Sequence, residues 1–214
     1  MKTASDYRAA ARESLDEQWH SSALMTLIIL VLASIFSVSP MLFADNIQGT
    51  LVADSAGTLI SILLVGPLEY AMFNVILLIN RKRLEDVPVI VMFKDSKTDW
   101  GRYVVALVLQ MIIITLISIP TLGIGGIIFA YAYKMVPFLL HDYPELTAKE
   151  ALKLSREMMK GYKWDLFVLD LTFIGWAFLC ILTLGIGVLW LAPYIYSAEA
   201  HFYDDLKAEV VVEE

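Results

Sequence analysis

The sequence predicts an all-α protein: a polytopic membrane bundle of six transmembrane helices in three hairpins, with a short amphipathic cytoplasmic helix before each hairpin. Three observations lead there. Hydrophobic residues make up 58% of the 214 residues and the mean hydropathy is +0.67, beyond the roughly half-apolar composition of soluble proteins. Four stretches, 22–43, 58–80, 103–120 and 164–182, come near or above the roughly 18 to 20 apolar residues that cross a hydrocarbon core, and 126–140 and 187–203 are patchier candidates. The basic residues then alternate completely between successive connections. Lys2, Arg8 and Arg12 precede the first span. Arg81, Lys82, Arg83, Lys94, Lys97 and Arg102 lie between the second and third, Lys149, Lys153, Arg156, Lys160 and Lys163 between the fourth and fifth, and Lys207 after the sixth. Residues 44–57, 121–125 and 183–187 contain none. Cytoplasmic loops collect Lys and Arg, so both ends are expected inside.

In chain order, Thr3 before Asp6 signals a first short helix. Its charges and the lack of a small-residue cleavage site argue against a cleavable signal peptide, so the first span is expected to stay in the membrane. Asp86 and Pro88 signal a second short helix, Pro88 at its first position. Thr147 with Glu150 forms a capping box for a third. This last one places Ala148, Ala151, Leu152 and Met158 on one side and Lys149, Lys153, Arg156 and Lys160 on the other. The stripe fits a helix lying on an anionic leaflet, with the four cations as membrane-surface contacts, and equally one packed on the bundle. Trp19, Trp100 and Trp164 stand where these helices turn into the membrane, as interfacial anchors do.

A shift of 62 residues lays Thr121-Leu-Gly-Ile-Gly125 on Thr183-Leu-Gly-Ile-Gly187 and Asp142 on Asp204; a shift of 126 lays Pro67 on Pro193 and Tyr70 on Tyr196. The single domain, 1–214, thus reads as three units at about 3–80, 86–143 and 147–206. Such repeats occur in transporters and also arise by duplication of a structural hairpin. The glycines of both turns lack the preceding strand and following Lys of a phosphate loop, which leaves tight helix reversal.

Ionisable groups inside a span are costly and stand out as functional candidates. Glu69, Lys134 and Glu199 fall roughly 16 to 20 Å from the external ends at ~1.5 Å per residue, and Asp170 and Gln110 reach the same layer. With Asn74 and His201 they define a candidate polar cavity, open to the cytoplasm, in which Lys134 neutralises one of the three carboxylates. Pro67, Pro137 and Pro193 interrupt the even-numbered spans, which are therefore expected at the centre. The alternatives are pairing for helix register alone, or snorkelling of Lys134 and Glu199.

No metalloprotease, hydrolase or phosphotransferase motif is present, so no catalytic residue is assigned and no enzyme is expected. The three histidines are scattered and Cys180 is alone, so no metal site and no cofactor are implied. A net charge of −7 argues against nucleic acid. No small-residue face marks a dimer. The partners expected are the bilayer, its anionic lipids, and a small amphiphile or membrane protein.

Ala11-Arg12 before Trp19, the Met159 to Trp164 stretch, the turn from Leu182 and the closing Ala200 to Leu206 together resemble the bacterial integral membrane family catalogued as domain of unknown function 975. The resemblance covers nearly the whole chain. That family is in turn distantly similar to the membrane portion of glycerophosphodiester phosphodiesterases, whose catalytic domain has no counterpart here. The resemblance implies six spans in a bacterial plasma (inner) membrane and transfers no catalytic residue. The expected function is a lipid-, amphiphile- or partner-binding membrane module; the alternative is a small transporter or channel using the polar layer.

Overall fold

The computed structural model describes residues 2–43, 57, 59–82 and 89–212. Among them every regular element is helical: α1 (Ala4–Leu15), α2 (Trp19–Phe43), α3 (Gly66–Asn80), α4 (Ile90–Ser118), α5 (Ile124–Ala132), α6 (Val136–Asp142), α7 (Ala148–Met158), α8 (Lys163–Leu171), α9 (Ile174–Leu182) and α10 (Val188–Val212).

Among the described residues, five helical stretches are long and apolar enough to cross a membrane: Trp19–Phe36, Leu59–Asn80, Asp99–Ser118, Ile124–Asp142 and Lys163–Leu182. The sixth expected span forms most of α10. Its second half carries Glu199, His201, Asp204, Asp205 and Lys207, so the apolar run is too short to stand with the other five.

Three of the stretches are interrupted. A turn at Val65 precedes Pro67, residues 133–135 separate α5 from α6 just before Pro137, and residues 172–173 separate α8 from α9. Pro67 and Pro137 both sit in the first turn of the half-helix they open, where a missing N–H costs least. Pro193 is instead absorbed within α10.

The even-numbered stretches are central, as their prolines led us to expect. Of an 18-residue run within each stretch, 72% is buried in Leu59–Asn80 and 50% in Ile124–Asp142, against 22%, 11% and 22% for the first, third and fifth. Aromatic contacts join the central helices. Phe73 of α3 meets Phe138 of α6 at 5.5 Å and Tyr196 of α10 at 4.1 Å, and Phe138 stacks on Tyr203 at 5.1 Å.

The two capping boxes form as the sequence specifies. Thr3 caps α1 with Asp6, and Thr147 caps α7 with Glu150. Tyr7, Ala11 and Leu15, four residues apart, bury one face of α1. On α7, Ala148, Ala151, Leu152 and Met158 are buried in the protein, and Ser155 donates to the Ala132 carbonyl at 2.8 Å. Its apolar stripe therefore packs on the bundle, which leaves Lys149, Lys153, Arg156 and Lys160 exposed on the outer side.

The charged segment before the third span departs from expectation. It does not form a separate short helix but runs into the span as the 29-residue α4; Asp86 and Pro88 lie outside the described residues. Trp100 consequently sits within a continuous helix, and its Nε1 donates to the Leu63 carbonyl at 3.1 Å. That carbonyl is the one Pro67, four residues on, cannot satisfy.

The turns at 121–125 and 183–187 share one geometry. Leu122 and Gly123 adopt φ of 50° and 90°, Leu184 and Gly185 54° and 89°. In each, the threonine hydroxyl accepts from the glycine N–H four residues later at 3.0 Å, Gly125 in one and Gly187 in the other. The leucine at each tip is 94% exposed.

Candidate functional site

The polar residues singled out from the sequence lie between the central helices, but not around one cavity. Lys134, in the turn between α5 and α6, reaches Glu199 of α10, with Nζ 2.9 Å from Oε1. Glu199 is fully buried while the Lys134 side chain is 33% exposed. The contact is one of charge rather than an aligned hydrogen bond, since neither carboxylate oxygen meets hydrogen-bond geometry with a described residue. The other two carboxylates take hydroxyl donors in place of a cation. Tyr131 of α5 donates to Asp170 Oδ2 at 3.0 Å, and Tyr196 of α10 donates to Glu69 Oε1 at 3.1 Å. Three carboxylates thus share one lysine and two tyrosines.

Two amides tie α3 to α4. Asn74 Nδ2 donates to the Tyr103 hydroxyl at 2.8 Å and Gln110 Nε2 to the Tyr70 hydroxyl at 2.6 Å, with the two rings 5.6 Å apart. Asn74 is fully buried. These two residues fasten α3 to α4. His201 is separate again, its Nε2 2.9 Å from Ser14 Oγ of α1. Of the seven candidates, Glu69 opens onto a groove of about 390 Å³ between α2, α3 and α10, walled by Ile29, Ala33, Val65, Met72 and Ala192.

A second charged cluster went unrecognised in the sequence. Arg81, just past α3, holds Asp142 at the end of α6 through both terminal nitrogens, at 2.7 and 2.8 Å. It also binds Asp204 of α10, with Nε at 3.1 and 3.2 Å from the two oxygens and a further contact from Nη2. Lys207 Nζ and the Tyr203 hydroxyl complete Asp142 Oδ2 at 2.7 and 3.0 Å. Burial works against the Arg81 charge, but its bonds to Asp142 and Asp204 outweigh that and raise its pKa. The signal was there: Asp142 and Asp204 coincide under the 62-residue shift, and Arg81 and Lys207 are 126 apart. Arg102 plays a related part, donating to the carbonyls of Leu140, Tyr143 and Leu146 at 3.2, 3.1 and 3.0 Å and so closing the chain after α6.

Among the described residues no group of three or more His, Cys, Asp or Glu side chains could hold a metal ion.

Five apolar helical stretches among the described residues define the class: an all-helical protein that fits a multi-pass membrane protein. Residues 101–210 match the family described as protein of unknown function DUF975, and the chain belongs to that family. No curated protein and no solved structure matches the chain, and the comparisons do not show the similarity to glycerophosphodiester phosphodiesterases.

Proposed function

We propose that the chain is a non-catalytic module of the bacterial plasma membrane, crossing it six times with both ends cytoplasmic, that binds a lipid or other amphiphile. The observation that carries this reading is Glu69, a carboxylate at membrane depth facing an apolar groove of about 390 Å³. Its Oε1 is oriented by the Tyr196 hydroxyl. A chain fits the apolar walls, and a hydrogen-bond-donating head would reach the carboxylate. Lys149, Lys153 and Arg156 support the reading at the surface: they line a shallower groove of about 280 Å³ together with Leu109 and Ile113 of α4. That combination suits an anionic headgroup above an acyl chain.

Six crossings are supported by the cluster at Arg81. It gathers the ends of the second and fourth spans and the charged half of α10 at one place, and Lys2 reaches Asp205 there at 2.9 Å. Contacts of both terminal segments with the place where the even-numbered spans finish support an even number of crossings. The basic residues mark that face as cytoplasmic.

The test is native mass spectrometry in mild detergent. A retained amphiphile that Glu69→Gln loses and Glu157→Gln, at an exposed site on α7, keeps is the expected result; a species retained equally by the Glu69 variant would overturn the site.

Transport is a second reading, favoured by the interruptions at Val65 and at residues 133–135 next to Glu69 and Lys134. Proteoliposomes loaded with the retained species would then show Glu69-dependent flux, and absence of flux would leave binding alone.

A further inference from the structure

We infer that a groove distinct from that of Glu69 is a seat for an anionic phospholipid of the leaflet facing α1, with the phosphate on Arg12 and one acyl chain against Trp176 and Trp190. The groove has a volume of about 440 Å³ and is apolar except at one end, where Arg12 and Trp19 close it. Its walls are Trp176, Leu179 and Cys180 of α9 and Trp190, Leu191 and Tyr194 of α10, and Thr183 and Gly187 form its far end. From Tyr194 to Gly187 is seven residues, about 10 Å at the rise of an α-helix, enough for the upper part of one chain.

Charge decides the head. Arg12 is exposed and has no carboxylate partner among the described residues. A guanidinium stays protonated and presents a fork that matches a phosphate. Arg8, one turn before it on α1, has a buried Nε without an acceptor among the described residues. Its carbonyl is held by the Tyr194 hydroxyl at 3.3 Å, which fixes this part of α1 against the groove. Arg12, without a carboxylate partner among the described residues, and the Arg8 backbone held by Tyr194 therefore stand at the mouth of an apolar slot. Trp19 is pinned beside them, its ring 6.1 Å from that of Tyr194. A cation at one end of an otherwise apolar slot is the pairing that a phosphate and an acyl chain require.

The inference rests on the lipid-binding reading above but on different residues, so the two can fail separately. The experiment compares phosphatidylglycerol with phosphatidylcholine of the same acyl chains, added to the purified protein and read by native mass spectrometry. Bilayers in which either lipid carries brominated chains give a second readout through tryptophan quenching. The wild type is expected to retain phosphatidylglycerol about tenfold better, and the brominated anionic lipid to quench more strongly than its zwitterionic counterpart. Arg12→Gln should remove the preference, Arg12→Lys keep part of it, and Glu69→Gln leave it intact. Equal retention of the two lipids by the wild type would overturn the proposal, as would a preference that survives Arg12→Gln in an Arg8→Gln background. A preference lost in Glu69→Gln but not in Arg12→Gln would place the lipid in the other groove and equally overturn it. So would a dimer whose formation excludes phosphatidylglycerol, since a second copy would then occupy the slot.

Discussion

At the scale of residues, the ion pair in the polar layer is asymmetric, and the asymmetry sets what its loss costs. Glu199 is fully buried whereas Lys134 is a third exposed. Removing the lysine leaves a buried carboxylate without its cation, the situation that costs about 3 to 5 kcal/mol. Removing both groups leaves only a packing change. Lys134→Met should therefore destabilise by about 3 kcal/mol, and Lys134→Met with Glu199→Met should recover most of it, as read from unfolding in detergent. Equal losses in the single and double variants would mean that the pair is not coupled. Trp100 offers a smaller effect of the same kind. Trp100→Phe leaves the Leu63 carbonyl without a donor and is expected to cost about 1 kcal/mol, less in a Pro67→Ala background where the helix can supply an N–H. The sequence identified the layer because charged residues in apolar runs are conspicuous. It did not identify the partners. Which carboxylate meets Lys134, and that Tyr131 and Tyr196 serve the other two, depends on how the central helices are rotated, and apolar surroundings on every side leave no periodicity to read that from.

Elements were legible where their signals are local. The Thr3 and Thr147 caps and both glycine turns follow from a few adjacent residues, and each is present. The helix before the third span was not legible in this way, because its charged first part and apolar second part are equally compatible with one helix or two; the chain makes one, α4. Glycine has opposite meanings in these elements. At Gly123 and Gly185 the backbone is left-handed, so an alanine at either is expected to cost about 1 to 2 kcal/mol. Gly101 lies within α4 with open space where a methyl group would sit, so Gly101→Ala is expected to stabilise by up to about 1 kcal/mol. Thermal unfolding of the three variants checks both signs together. The cap of α7 carries a pH dependence. Hydrogen bonds from the Thr147 hydroxyl and then its backbone N–H hold Glu150 below its ordinary value of 4.5. The contribution is present above that value and is lost as pH falls through the lowered one. Amide exchange in the first turn of α7 should accelerate over that acid range, and Glu150→Gln should flatten the profile.

For the whole molecule, the cluster at Arg81 ties the ends of α3 and α6 to α10. Three central helices meet there, and one guanidinium holds two carboxylates belonging to chain segments 62 residues apart. The Asp142 side chain is 7% exposed and that of Arg81 18%, so the bonds are shielded from water and the bidentate geometry counts. Lysine keeps the charge but cannot bind Asp142 with two nitrogens while reaching Asp204. Arg81→Lys should consequently lose much of the stability lost by Arg81→Gln, about 3 kcal/mol for the latter. The same cluster makes the membrane topology testable. With Cys180 replaced by serine, single cysteines at the exposed tips Leu122 and Leu184 should react with an impermeant maleimide in intact cells. Cysteines at Glu157 and Ala208 should react only after permeabilisation. Five crossings instead of six would put Ala208 on the side of Leu122, and its labelling in intact cells would then contradict the cluster, because Asp204 could not reach Arg81 from the opposite face.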